Sequence, residues 1–319
     1  VELKNTNLNI SFLRKEKLIT KRYMSERKIR ARIQYKEDFL PEGLGSDRII
    51  RKRYLFNKTF FDEKGNIIRT EKYHPDGHLE EYEEHTFDKE GFLTDTKTVM
   101  NGEIADHSTF EIAEGKVLKE FVHYLDGTKD TVRYDYDNGN LVRKAYFDYE
   151  GVLEKETLFQ SSENHTKEVT KDEEGDITEE KEKYYENGNL VKEKYRDAFT
   201  GAQFEIVYEY DDEGRECKTT RFDGHGNVAE DLEKQYDDQG KLVFIDDSSN
   251  KKKVAYTYDK QGRLVLQEEK LYDDTVVSTI RRTYNSDGLH VSSEVYINGF
   301  DLQMSQHYNV HHEYEFYEE

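Results

Sequence analysis

A turn signal recurs along this chain at an interval too short for helices. Tyr236-Asp237-Asp238-Gln239-Gly240-Lys241-Leu242-Val243 returns as Tyr258-Asp259-Lys260-Gln261-Gly262-Arg263-Leu264-Val265 and, earlier, as Phe61-Asp62-Glu63-Lys64-Gly65-Asn66-Ile67-Ile68. The turn glycine recurs from Gly65 to Gly299, mostly 11–14 residues apart, and the sequences Ser161–Asn164, Asp246–Asn250 and Asp273–Asp274 stand in the longer intervals as degenerate turns. In each unit, Asp at the first turn position accepts from nearby backbone N–H groups. Two polar residues follow, and Gly supplies the positive φ that closes a type I turn into a hairpin. The eight or so residues left between turns make one strand. They leave no room for the ~10–12 residues a helix needs. The expected fold is all-β: an elongated, twisted antiparallel meander of about twenty strands, about 95 Å long if it stays open.

Side chains flanking the turns repeat as well. Among the 17 turn glycines, an aliphatic residue stands two positions after 12 of them and an aromatic four positions before 10, which predicts rows of side chains stacking between neighbouring hairpins. Those rows must supply much of the burial. Hydrophobic residues make up 34% of the chain and charged residues 37%, too little apolar material for a thick core. The 24 Tyr and 17 Phe argue against disorder and for sheet faces covered by amphipathic rings. Only two prolines, Pro41 and Pro75, interrupt strands that must all donate to a ladder. One cysteine, Cys217, excludes an intrachain disulfide and reads as a small buried apolar side chain rather than a reactive thiol.

Charge is divided unevenly. Residues 1–60 carry a net +9, and the remaining residues a net −30. An acidic body of this size disfavours nucleic acid and anionic membrane, and no apolar run is long enough for a membrane span. The basic front has two readings: pairing with the acidic body or a partner subunit, or contact with an outside partner. Three regions are expected: a basic N-terminal segment, 1–55; the hairpin array, 56–305; and a His/Tyr/Glu-rich C-terminal strand or tail, 306–319. In the first, 7–13 could be one strand, and Lys28–Tyr35 alternates basic and apolar residues as a strand with one charged face. A basic helix over 15–32 is the alternative. Pro41, Gly43 and Gly45 mark a loop between Phe39 and Asp47. The chain opens Val1-Glu2-Leu3-Lys4, which does not read as a signal peptide, and a removed leader stays open.

Motifs that could carry chemistry mostly dissolve into the repeat. Gly224-His225-Gly226-Asn227-Val228-Ala229 matches a dinucleotide fingerprint, but it falls in register with the turns, and a strand rather than a helix should follow. His307, His311 and His312 could suggest a metal site. On a strand, His307 and His311 stand about 13 Å apart, and a fortuitous His-rich strand is the preferred reading. Asp135-Tyr136-Asp137-Asn138-Gly139 lacks the spacing of a calcium loop. No nucleophile–base–acid constellation stands out, so no enzymatic activity, cofactor or metal is expected.

The octet Tyr258–Val265 resembles a YD (Rhs-type) repeat, and Tyr184-Tyr185-Glu186-Asn187-Gly188-Asn189-Leu190-Val191 resembles the variant MORN repeat of bacterial antitoxin-like proteins. The resemblance covers roughly residues 56–299 and implies antiparallel hairpin arrays in a bacterial protein of the cytoplasm or envelope. A weaker resemblance is to the sheet domain attached to bacterial glycosyltransferases that modify surface proteins or teichoic acid. The function expected is a non-enzymatic interaction module for a protein partner with basic patches. The partner-binding candidates are Arg30, Arg32, Arg51, Lys52, Arg53, Tyr184, Tyr210, Tyr236 and Tyr258. Cell-surface glycan binding is the alternative, and an accessory glycosyltransferase subunit the third. Exposed terminal strands of an open array would need a partner or a second copy to cover them.

Overall fold

The computed structural model describes residues 28–43, 48–299 and 305–318. The possible strand at 7–13 and the part of the possible helix before Lys28 lie outside these residues. Every regular element described is a strand. In order they are β1 (Ile29–Pro41), β2 (Ile49–Phe61), β3 (Ile67–Tyr73), β4 (Leu79–Phe87), β5 (Leu93–Met100), β6 (Glu103–Ala113), β7 (Lys116–His123) and β8 (Lys129–Asp137). There follow β9 (Asn140–Phe147), β10 (Leu153–Ser161), β11 (His165–Asp172), β12 (Ile177–Glu186), β13 (Asn189–Asp197), β14 (Gln203–Tyr210) and β15 (Glu216–Asp223). The last are β16 (Val228–Tyr236), β17 (Leu242–Asp247), β18 (Lys252–Tyr258), β19 (Leu264–Leu271), β20 (Val276–Tyr284), β21 (His290–Ile297) and β22 (Gln306–Phe316). The basic run from Ile29 is therefore strand, and the helical alternative fails there.

Two compact units divide the chain. One holds the described residues up to Tyr82, together with Asp259–Leu266 and the residues from Ser278 on. The other holds Glu83–Tyr258 and Gln267–Val277. In the second, β5 to β18 follow one another as antiparallel neighbours, as β5–β6 and β17–β18 illustrate at its ends. In the first, β20–β21–β22 continue into β1, which pairs in turn with β2, and β2 with β3.

The pairing of β1 with β22 corrects the expectation of an open, elongated meander. Ala31 stands opposite Glu315 and Asp38 opposite Tyr308, so the first and last described strands are hydrogen-bonded neighbours. Antiparallel barrels dispose of their edges by this kind of pairing. The edges of β1 and β22 that an open array would leave bare cover each other. Charge complementarity favours the match: Arg30 reaches Glu315 at 2.8 Å and Arg53 reaches Glu313 at 3.1 Å.

The turns form as their chemistry requires. Asp237 Oδ1 accepts from the N–H of Gln239 and of Lys241, both at 2.9 Å, and Gly240 N–H donates to the Asp237 carbonyl at 2.9 Å. Gly240 then sits at φ +75°, and the strand register slips by one residue beside the turn, between Gln235 and Tyr236. Four glycine hairpins depart from this form by a mirror-image turn. Asn101-Gly102, Glu114-Gly115, Asn138-Gly139 and Asn187-Gly188 have two consecutive residues at positive φ, the type I′ geometry, rather than the expected type I. Their loops are two residues long, and the mirror-image turn matches the right-handed strand twist.

Burial is thin, as the composition requires. The buried apolar residues among those described are Ala31, Val99, Val132, Ala145, Leu289 and Val295, and no large side chain is fully enclosed. Long charged side chains cover the rest. Lys167 on β11 reaches Glu180 at 3.1 Å and Glu182 at 2.9 Å on β12. Cations lie over rings, as Arg133 does over Phe147 at 4.5 Å.

Candidate interface at the hairpin edges

Consecutive antiparallel strands send alternate turns to opposite edges of a sheet. In the larger unit, one edge carries turns 138–139, 187–188, 211–215 and 237–241. The other carries turns 101–102, 124–128, 148–152, 173–176, 198–202, 224–227 and 248–251. The two edges differ in what their side chains do.

On the first edge, tyrosines tie the open ends of hairpins together. Tyr210 donates to the Leu190 carbonyl at 2.7 Å, Tyr236 to Glu216 at 2.7 Å, and Tyr258 to Leu242 at 2.8 Å. Tyr136 does the same with Val117 at 2.9 Å. Each acceptor lies two residues after a turn glycine. The residue between glycine and acceptor is often a cation that covers the ring: Arg215 over Tyr236 at 4.9 Å, Lys241 over Tyr258 at 5.3 Å, and Lys116 over Tyr136 at 5.2 Å. Asp211 holds Arg215 in place at 2.7 Å. Burial raises the hydroxyl pKa of Tyr210 and Tyr236. The smaller unit repeats the device, with Tyr284 donating to Leu264 at 2.9 Å under Arg263 at 4.7 Å.

The other edge is apolar and acidic. Phe199 is 94% exposed, Leu125 76% and Tyr149 62%, and Met100, Tyr124, Val152, Ile177 and Val228 are exposed beside them. Of the exposed large apolar side chains described in this unit, only Phe92 and Leu118 lie toward the first edge. Of the turns on this edge, only 248–251 contains a lysine or arginine, Lys251. Between turns 124–128 and 148–152 an open hollow of ≈ 720 Å³ is lined by Tyr124, Leu125 and Tyr149 together with Asp126, Asp130, Asp148 and Glu154. A 2.5 Å hydrogen bond to the Asp130 carboxylate pushes the Tyr124 hydroxyl up to about 12. Asp126 is held below the usual carboxylate range by the Thr128 hydroxyl and N–H. The smaller unit exposes Leu40, Ile49, Ile50, Tyr296 and Ile297 around the β1–β2 loop and the end of β21.

The residues singled out from sequence do not converge. Arg30 and Arg53 pair with Glu315 and Glu313, and Arg53 also lies over the Tyr35 ring at 4.5 Å. Arg51 stands over Phe39 at 5.1 Å, Lys52 is exposed opposite Asp38, and Arg32 is half-buried opposite Tyr314. Tyr184 packs on the His165 ring at 4.8 Å and donates to Glu182, whose carboxyl is pushed down to about 2. Tyr210, Tyr236 and Tyr258 are the ties just described. The exposed apolar edge was not foreseen from sequence, although a signal was available: large apolar residues inside three turns, Leu125, Tyr149 and Phe199.

The remaining motifs resolve locally. A strand, β16, follows Gly224–Asn227. His307 sits 3.0 Å from Glu294 and His311 3.7 Å from Glu37, while His312 packs 4.4 Å from the His290 ring. Cys217 is half-buried in β15. Among the described residues, one group could hold a metal ion: His74, Asp76 and His78, on the hairpin between β3 and β4. No described helix is long and apolar enough to cross a membrane.

No protein-family model matches the chain. No curated protein matches it either. Among solved structures it is similar to the Photorhabdus luminescens Tc holotoxin pore, with TM-score 0.38 and 12% identity, over 83% of this chain and 18% of that one. A TcdB2-TccC3 structure gives TM-score 0.28 and 13% identity, over 75% of this chain and 15% of that one. This chain thus spans less than a fifth of either toxin chain. A porin-like protein from Bacteroides uniformis gives TM-score 0.27 and 11% identity, over 89% of this chain and 97% of that one.

Proposed function

We propose that this chain is a non-enzymatic interaction module, built from repeats of the YD or variant-MORN kind, that binds a protein partner through its apolar, acidic turn edge. The hollow between turns 124–128 and 148–152 carries the reading. Leu125 and Tyr149 offer apolar contact, and the lining holds four carboxylates and no lysine or arginine. A lysine or arginine flanked by apolar side chains fits that combination, and such anchors dominate protein interfaces. A lipid surface fits it poorly. Anionic headgroups would meet Asp126, Asp148 and Glu150. Strands β11 and β12 carry charged side chains on both faces, where a lipid-facing strand pays about 2–4 kcal/mol for a buried Lys or Arg. Glycan binding is also less favoured, because Arg215, Lys241 and Lys194 lie over the rings of Tyr236, Tyr258 and Tyr184 that a sugar would stack on.

The test compares three forms of the full chain as bait in extract of the source organism: unaltered, Leu125→Ser with Tyr149→Ser, and Leu118→Ser on the opposite edge. Recovery of one protein by the first and third but not the second supports the reading. Equal recovery by all three, no protein at all, or retention on a polysaccharide matrix instead would overturn it.

A further inference from the structure

The hairpin between β3 and β4 breaks the repeat in a particular way. In several other turns the first position is Asp and the residue four places on lies against it: Asp211 meets Arg215 at 2.7 Å, and Asp62 meets Asn66 at 2.9 Å. In His74-Pro75-Asp76-Gly77-His78 both of these positions are histidine, and the position midway is a carboxylate. The turn itself is kept. Gly77 N–H donates to the His74 carbonyl at 2.8 Å, His74 N–H donates to the His78 carbonyl at 3.0 Å, and Gly77 takes φ +96°. Pro75 occupies the turn position where its fixed φ is already correct.

The consequence is convergence. The two imidazole rings stack with centroids 4.7 Å apart and planes 25° from parallel. Asp76 Oδ1 lies 3.1 Å from His74 Nδ1 and 2.5 Å from His78 Nδ1, and one ligand atom from each residue falls within 4.8 Å of the others. All three side chains are exposed, so small rotations about χ angles bring the atoms to the ~2.0–2.2 Å metal-ligand distances without moving the backbone.

We propose that His74, Asp76 and His78 form a binding site for a first-row divalent transition metal, Zn²⁺ or Ni²⁺, with the remaining coordination positions open to water or to a ligand from another molecule. Two imidazoles and one carboxylate are the donor set such ions take, whereas Mg²⁺ and Ca²⁺ prefer all-oxygen sites. Binding takes the Asp76 carboxylate together with both imidazoles in their neutral form.

The test is calorimetric titration of the chelator-treated full chain with ZnCl₂, NiCl₂ and MgCl₂. One equivalent of Zn²⁺ or Ni²⁺ should bind, saturating below about 100 µM free metal, with no comparable uptake of Mg²⁺. His74→Gln with His78→Gln should abolish that equivalent. Asp76→Asn should weaken it at least about tenfold. His307→Gln with His311→Gln should leave it unchanged. The glutamine variants keep the turn backbone, and an unchanged circular dichroism spectrum checks their folding. No saturable binding, or binding retained in the His74/His78 double variant, overturns the assignment and leaves the cluster as a stacked, hydrogen-bonded histidine pair.

Discussion

Tyr236 donates its hydroxyl to the Glu216 carbonyl at 2.7 Å while Arg215, the residue before that acceptor, lies 4.9 Å above its ring. One side chain thus fastens two adjacent turns by a hydrogen bond and a cation–π contact. Tyr236→Phe keeps the ring and the cation but removes the donor. It should cost about 1 kcal/mol, the net worth of one hydrogen bond. Tyr236→Ala also gives up the burial and should cost about 3 kcal/mol. Urea denaturation of the three proteins measures both steps. Equal losses would mean that the hydroxyl, not the ring, holds the turns together.

Backbone sign separates two turns. Gly214 sits at φ +76° with open space where a Cβ would go, so Gly214→Ala pays only for the left-handed conformation, about 1–2 kcal/mol. Lys251 already bears that strain at φ +53° in a turn without glycine. Lys251→Gly should therefore stabilise, by a few tenths to about 1 kcal/mol. Thermal melts of the two variants should move in opposite directions.

Acid should loosen the strands beside the closing pair before it affects the carboxylates. Burial holds the His290 pKa down to about 4 and that of His312 to about 3, against an ordinary value near 6.5. Above pH ~6.5 both are neutral folded or unfolded, and their burial costs no proton. Below it the unfolded chain binds protons that the folded chain refuses, so stability falls as pH drops from ~6.5 toward 4. Glu182, held down to about 2, begins to contribute its own loss only below about pH 4.5. Denaturation midpoints at about pH 7.5 and 5 should differ, and His312→Gln should shrink the difference. A midpoint flat over that range would contradict the burial of these rings.

Removal of 306–319 takes away β22 and exposes the backbone edge of β1. An unpaired edge strand recruits another. The shortened chain should elute with a larger, concentration-dependent apparent size than the full chain in gel filtration. Glu313→Ala, which removes only an exposed ion pair with Arg53, should change stability by less than about 1 kcal/mol.

The hairpins were legible because an Asp-x-x-Gly turn is a local device: four residues decide it, wherever they stand. The hydroxyl ties were half legible. Tyr four places before glycine was visible, but that its hydroxyl reaches the carbonyl beside the adjacent turn depends on register across strands. Closure was not legible, since nothing near Arg30 in sequence names Glu315; only the basic front and the acidic end hinted at it. The His74–His78 cluster was not legible for a different reason: on a strand, histidines spaced like His307 and His311 stay apart, whereas across a turn positions i and i+4 touch.

The β1–β22 pairing also bears on the order in which the molecule assembles. Hairpins such as β15–β16 join residues about a dozen apart and form as soon as both strands exist. Arg30 and Glu315 are separated by 285 positions. Bringing ends that far apart together costs about 3 kcal/mol more chain entropy than closing one hairpin. The edge of β1 therefore waits for β22, and until then it presents unpaired backbone groups that another strand can take up.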